Sequence, residues 1–299
     1  ITAGAVASGE SVGEVDVLEI SRPVVTASKF FSTENGNVLS NSKTSLILAD
    51  ARNYLRVSQK KYDVIVSEPS NPWISGISNL FTYEAFDLSR SALAPNGIMA
   101  QWFHTYKMDR ADILSILRTY HSVFPFVSVW TPQDGDLVLI GSEQPQEFDA
   151  DRILSILGGS GSGKMLQKIG IRYPEQFLAC YLMDLKEIES VYESARWNTD
   201  DIPYLEFNAP RHLYSRTIAM NLHQLTDSLA DGKVRLPIAN VVQSGNSGCV
   251  HLPSIGLSIE SSDVDRQSIE TSWFLERHIL VRKDTGSAVK LANGQQVLV

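Results

Sequence analysis

YDVIVSEPSNPWISGISNLF, from Tyr62 to Phe81, is the stretch whose reading decides the fold. Val64-Ile65-Val66, entered from Tyr62, reads as a buried strand. The strand then stops on Ser67-Glu68-Pro69-Ser70-Asn71-Pro72-Trp73. A simple turn requires neither the Glu, nor the Trp, nor the second Pro. A strand from the interior that ends on a carboxylate, an amide and an indole is the first sign of a site.

Working outward, strand and helix alternate from residue 15 to about 142. Val15–Ile20, Thr44–Ala49, Asp63–Val66 and Gly97–Phe103 read as strands. Residues 21–31, 51–58 and 77–93 read as helices, with Pro23 in a first turn where proline is tolerated and Pro95-Asn96-Gly97 as a stop signal. Asp109 is positioned to cap a further helix in which Ile113, Ile116, Leu117, Tyr120 and Phe124 share a face. Phe126–Trp130 and Leu137–Ile140 are separated by so short a link that they must form an antiparallel hairpin. Repeated strand-helix units imply a parallel sheet covered on both faces. With a terminal antiparallel hairpin, this is the layout of the S-adenosylmethionine-dependent methyltransferase fold, a Rossmann-like α/β architecture. The expected organisation is a methyltransferase-like domain over 1–145, a mainly helical extension over 146–230, and a small β-rich extension over 231–299.

The 299 residues carry a net charge of −8. That argues against a nucleic-acid partner, and no basic stripe appears. Cys180 and Cys249 make neither a metal spacing nor a disulfide framework, and no metal-ligand constellation is visible. No apolar run of about 18 residues exists, and the opening residues do not read as a signal peptide. The opening ITAGAVAS is apolar and small, as if taken from the inside of a domain. Gly158-Gly159-Ser160-Gly161-Ser162-Gly163-Lys164 imitates a phosphate-binding loop, but Met165 stands where that motif needs Ser or Thr. A flexible linker is the expectation there.

In open parallel sheets, ligands bind beyond the carboxyl ends of the strands. Three strands end on an acid: Glu19, Asp50 and Glu68. Each has a bland reading on its own. Asp50 precedes ARNYL and suits a helix cap, and the other two suit solvated strand ends. Together, on successive strands, they converge on one crevice. A carboxylate accepts from both hydroxyls of a ribose, and another accepts from an adenine amine.

VDVLEI, ADAR, YDVIVSEPSNPWISGISNLFTYEAF and APNGIMAQW resemble the spermidine synthase (polyamine aminopropyltransferase) family. The third segment, with NTDDIPYLEFNAPR at 198–211, is similar to its bacterial spermidine synthase-like branch, often fused to membrane helices. The resemblance implies that Glu19 holds the ribose hydroxyls and that Asp50 and Ala51 meet the adenine. The co-substrate it implies is decarboxylated S-adenosylmethionine, or S-adenosylmethionine itself, with no permanently bound cofactor. Where the family has Asp-Ser-Ser-Asp-Pro, this chain has Glu68 and Asn71. Glu68 is the implied proton acceptor. Asn71, Trp73 and Gln101 are the implied residues for a polyamine or other amine, with His104 and Tyr106 beside them. Trp73 also suits core packing.

The resemblance further implies that Ile1 follows directly on the family's glycine-rich loop. The expected sheet therefore lacks its first strand, leaving two facing edges, and the fragment folds marginally and binds nucleoside poorly. Membrane helices in a preceding part, a cytoplasmic or membrane-face location and an oligomer are compatible with it. Two other activities fit the residues. One is an S-adenosylmethionine-dependent methyltransferase, echoed in Asn71-Pro72-Trp73. The other is a non-catalytic nucleoside- or polyamine-binding domain, favoured by the charge lost at Asn71. Asp200 and Asp201 read as turn formers before Pro203.

Overall fold

Strand and helix alternate from the first residues. The computed structural model describes residues 1–214 apart from Asp134, Tyr173 and Ala179, and beyond them Leu225 and the strand residues named below. Helix α1 (Thr2–Ala7) leads to β1 (Val12–Leu18), α2 (Arg22–Ala27), β2 (Thr44–Ile47), α3 (Ala51–Val57) and β3 (Tyr62–Ser67). Then come α4 (Tyr83–Ala92), β4 (Leu93–His104), α5 (Arg110–His121), β5 (Phe126–Trp130) and β6 (Asp136–Ser142). The helix starts follow local chemistry. Pro23 stands in the first turn of α2, and Asp50 caps α3 by accepting from the Asn53 amide at 2.8 Å. Asp109 and Asp112 form a reciprocal capping box on α5. The Pro95-Asn96-Gly97 stop signal falls just past the end of α4 and lies inside β4, where Asn96 takes a φ of 62°.

The second stretch contributes β7 (Phe148–Asp149), α6 (Ala150–Gly158), α7 (Ser162–Lys168), α8 (Pro174–Leu178), β8 (Tyr181–Asp184), α9 (Glu189–Tyr192) and α10 (Tyr204–Asn208). The glycine run expected as a linker joins α6 to α7. Its Ser160 amide and hydroxyl donate to Glu10 Oε1 at 2.8 and 2.6 Å. A side chain at Gly161 would meet the Ser8 carbonyl oxygen at 1.8 Å, so this segment packs against the end of α1. The end of the expected helical extension, 215–230, falls, Leu225 aside, outside the described residues. The last stretch holds β9 (Ile238–Ala239), β10 (Val242–Gln243), β11 (Cys249–Leu252), β12 (Leu257–Ser261), β13 (Ile279–Lys283) and β14 (Gln295–Leu298). Strands β10 to β13 form an antiparallel sheet of their own, and β7 pairs with β9.

The main sheet runs β2-β1-β14-β3-β4-β6-β5-β8. It is parallel from β2 to β4, and β6, β5 and β8 add on antiparallel. This is the methyltransferase-like α/β sheet with its terminal hairpin. One expectation is corrected: the gap in the middle is not there. Strand β14 fills it, parallel to both neighbours, with Val297 opposite Val15 and Val64 and Leu298 opposite Asp16 and Ile65. The reason is backbone pairing. Strands β1 and β3 would otherwise face each other with unpaired amides and carbonyls, and a strand from far along the chain satisfies both edges. Strand β8 likewise extends the sheet past β5, so both later stretches share the sheet of the first.

Side chains lock β1 to β3 across the inserted strand. Tyr62 on β3 donates to buried Asp16 on β1 at 2.7 Å, and Lys60 Nζ reaches the same carboxylate at 2.9 Å. The main core lies where α4 and α5 cover β3, β4 and β6, around Phe86, Phe103, Ile116, Leu117 and Phe124. Each such side chain contributes about 1.5–3 kcal/mol by leaving water. Tyr120 is buried there with its hydroxyl satisfied by the Met99 carbonyl at 2.7 Å. Among the described residues, no helix is long and apolar enough to cross a membrane.

Gly141 on β6 lies against this cluster. A Cβ there would stand 2.6 Å from Phe124 Cγ and 2.8 Å from Tyr120 Cε1. We predict that Gly141→Ala destabilises the protein by about 1–3 kcal/mol through overpacking, read as a lower urea midpoint at unchanged slope. An unchanged midpoint would show that the two rings move aside freely.

Candidate functional site

Glu19 follows directly on β1, Asp50 stands three residues past β2, and Glu68 follows directly on β3. Because the three strands are parallel, all three acids emerge at the same edge of the sheet. They line one cleft of about 610 Å³, together with Ala51 and Arg52. Its floor is apolar, from Leu18, Ile65, Val66 and Met99, and Ile77 and Leu80 form one wall.

Each acid at the strand ends is oriented by a bond of its own. Glu19 Oε1 accepts from the Ser21 amide at 2.7 Å, leaving Oε2 without a bond from this contact. Asp50 Oδ1 is used by the Asn53 amide, so one oxygen caps the helix while the residue lines the cleft. Glu68 is exposed, and the Thr2 hydroxyl at the start of α1 donates to its Oε2. Three carboxylates at the cleft give it a negative potential that suits a cationic ligand. Arg52, the guanidinium in the lining, is engaged elsewhere: it bonds Asp200 Oδ2 at 2.5 Å and the Asn79 carbonyl at 3.1 Å.

The structure thus brings Glu19, Asp50, Ala51 and Glu68 together. It leaves Asn71, Trp73 and Gln101 outside the lining of that cleft. Asn71 closes a turn through its carbonyl, which accepts from the Ile74 amide at 3.0 Å. The half-buried Trp73 ring packs 4.6 Å from His104 and 6.2 Å from Tyr106, with Lys107 Nζ 5.8 Å from its centroid. Gln101 sits opposite Ser67 in the β3–β4 register, fully buried. Its Nε2 donates to the Trp102 carbonyl at 2.9 Å, and its Oε1 has no partner among the described residues. Next to the cleft, then, lies an aromatic cluster of Trp73, His104 and Tyr106.

Sequence reasoning did not find Arg52, Ile77 or Leu80. Their only signal was position, since they follow a strand-end acid or sit in the loop after β3. One group of metal-type side chains also comes together: Asp109, Asp112 and His212, with ligand atoms within 4.8 Å of one another. Its members already serve the fold. Asp112 accepts from Asn208 Nδ2 at 2.7 Å and from the Asp109 amide at 3.2 Å, while His212 pairs with Asp109 at 3.2 Å. Burial pushes the Asp112 carboxyl up to about 6.

Residues 4–133 match the family model of the spermine/spermidine synthase domain. The resemblance carried by the strand-end segments therefore holds across that span. The chain is 32% identical over 145 residues to a spermine synthase of Arabidopsis thaliana, a match covering 45% of this chain and 40% of that protein. It is 25% identical over 114 residues to a polyamine aminopropyltransferase of Korarchaeum cryptofilum, covering 38% of this chain and 35% of that one. It therefore matches well under half the length of these relatives. A solved structure described as a probable spermidine synthase from Corynebacterium glutamicum aligns with a TM-score of 0.41 at 17% identity, over 67% of this chain and 80% of that one.

His104 supplies a test of the aromatic cluster. Its ring is buried, Nδ1 lies 3.0 Å from the Tyr106 carbonyl, and Nε2 has no partner among the described residues. Burial pushes its pKa down to about 4. Between pH 4 and the ordinary value of about 6.5 the unfolded chain therefore binds the extra proton and the folded one does not. Stability from this group falls as pH drops through that window, by about 3 kcal/mol in total. Asp112, pushed up, acts in the opposite sense. The predicted observable is thus a difference: His104→Phe loses less stability than the wild type between pH 6.5 and pH 4.5. Parallel urea titrations measure it, and identical pH slopes would contradict a neutral buried imidazole.

Proposed function

We propose that this chain carries the nucleoside-binding and proton-accepting half of an aminopropyltransferase. It moves an aminopropyl group from decarboxylated S-adenosylmethionine to the amine of a polyamine. The observation that carries the reading is the convergence of Glu19, Asp50, Ala51 and Glu68 on one cleft at the carboxyl edge of a parallel sheet. The spermine/spermidine synthase match over 4–133 supports the same chemistry.

Each residue has a task suited to its surroundings. Glu19, steadied by the Ser21 amide, accepts from the two ribose hydroxyls. Asp50, anchored as a helix cap, offers its second oxygen to the adenine amine, and Ala51 leaves room for the ring. The apolar floor takes the purine face. Glu68 stands at the reacting end. Free amines are mostly protonated at neutral pH, and a carboxylate orients the amine and takes its proton as the new bond forms. The amine nitrogen bonds the carbon next to the sulfonium, the carbon–sulfur bond breaks with its electron pair going to sulfur, and the neutral thioether leaves. Holding donor and acceptor in line supplies most of the rate.

A second reading rests on Asn71 and Trp73, which lie outside the cleft lining while Trp73 packs on His104. Under it, the chain binds a nucleoside without transferring an alkyl group to a diamine.

Binding and turnover separate the readings in the longest natural form of the protein. The expected result is that 5′-methylthioadenosine binds by calorimetry and that Glu19→Gln weakens it about tenfold, the loss of charge-assisted hydrogen bonds. Glu68→Gln leaves that affinity nearly unchanged and lowers aminopropyl transfer about 10²–10⁴-fold. Binding without transfer to any amine would favour the second reading. No nucleoside binding at all would overturn both.

A further inference from the structure

Segment Asn198–Glu206, which the resemblance leaves without a chemical role, crosses the back of the loop that follows β3. Asn198 is fully buried. Its Nδ2 donates to the Ser78 and Phe81 carbonyls at 3.2 and 3.1 Å, and its Oδ1 accepts from the Leu205 amide at 3.1 Å. Thr199 and Ile202 close the turn expected before Pro203, with bonds of 3.2 and 3.0 Å. Asp200 does more than turn the chain. It accepts from Thr82 Oγ1 at 2.9 Å and from Arg52, while its amide donates to Glu84 at 2.9 Å.

Glu206 makes the densest set of bonds. One carboxylate accepts from Ser75 Oγ at 2.9 Å, from Ser78 Oγ at 2.6 Å and from the Gly76 amide at 3.1–3.2 Å. Gly76 stands at φ 83°, where a side chain would be strained. The turn is thus shaped to present its amide to the carboxylate. Hydrogen bonds from Ser78 first, and then from Ser75 and Gly76, hold the Glu206 carboxyl below the usual range. The same loop carries Ile77 and Leu80 into the cleft wall.

We infer that Glu206 is a positioning residue, a carboxylate latch that holds the Ser75–Phe81 loop as a fixed wall of the ligand cleft. Asp200 holds the Arg52 side of that wall in the same way. Without the latch, the left-handed turn at Gly76 is released, and the short 3-10 helix Ile77–Phe81 that carries Ile77 and Leu80 is held from this segment by the Asn198 bonds to the Ser78 and Phe81 carbonyls. The latch acts through the loop and touches no reacting atom. What it shapes rests on the nucleoside reading above; that it holds the loop does not.

Hydrogen exchange on the full chain tests it. In Glu206→Ala, peptides covering Gly76–Phe81 are expected to exchange about tenfold faster or more, as befits the loss of a charge-assisted bond. Peptides from β3, β4 and α5 keep their protection. The dissociation constant for 5′-methylthioadenosine rises about three- to tenfold. Glu206→Gln, which keeps an acceptor oxygen for Gly76, recovers part of both effects and serves as the test if the alanine variant does not fold. Unchanged exchange in the loop overturns the latch. Exchange rising evenly across the sheet overturns it too, since Glu206 would then be a general stabiliser. If the wild type binds no 5′-methylthioadenosine, the nucleoside reading falls, and loop exchange alone still decides the latch.

Discussion

Parallel backbone pairing in the middle of the sheet is the constraint on which the rest depends. Hydrogen bonds between parallel strands oblige β1, β2, β14, β3 and β4 to run the same way. Their carboxyl ends therefore meet at one edge. There the ladders stop, and the residues that follow must satisfy themselves with turns, caps or solvent. Glu19 and Asp50 do this with one oxygen each, on the Ser21 and Asn53 amides. Local capping chemistry and ligand chemistry are thus not rivals at these positions.

The same pairing explains the least expected element of the fold. A sheet that placed β1 beside β3 with nothing between them would bury two rows of unpaired backbone groups. Strand β14 supplies their partners. The side-chain bridge from Asp16 to Tyr62 and Lys60 closes over the same interval. Two kinds of bond, backbone and side chain, therefore hold together the strands that carry Glu19 and Glu68. The relative position of those two acids follows from it.

Beyond the sheet, the loop after β3 has no ladder to hold it. Besides its own turns at Asn71–Ile74 and Ile74–Ile77, it takes partners from the 198–206 segment, through Asn198 to the Ser78 and Phe81 carbonyls and through Glu206 to the Gly76 amide. The two stretches lie more than a hundred residues apart, yet between them they make one cleft wall. This also accounts for the prolines in the loop. Pro69 and Pro72 lack a backbone N–H and fix φ, so the loop is stiff by composition and is then tied by distant side chains.

Much of this was legible in the residues. Apolar runs marked β3, β5 and β6 to within a few residues, because much of each of these strands is withdrawn from solvent. Asp50, Asp109 and Pro23 marked helix starts, because capping is a contact between residues only a few apart in sequence. The short link after Trp130 forced an antiparallel hairpin. The acids at positions 19, 50 and 68 could be assigned to one edge once the strands were taken as parallel. What those residues could not decide was long-range. The pairing of β14 with β1 and β3, the seating of β8 on β5, the packing of Trp73 on His104 rather than in the cleft lining, and the hold of Glu206 on the loop all join residues far apart in sequence. Periodicity and capping report on neighbours within a turn or a strand. Which distant segment satisfies a given backbone edge or carboxylate depends on shape and on competition among all segments, and only the folded chain settles that.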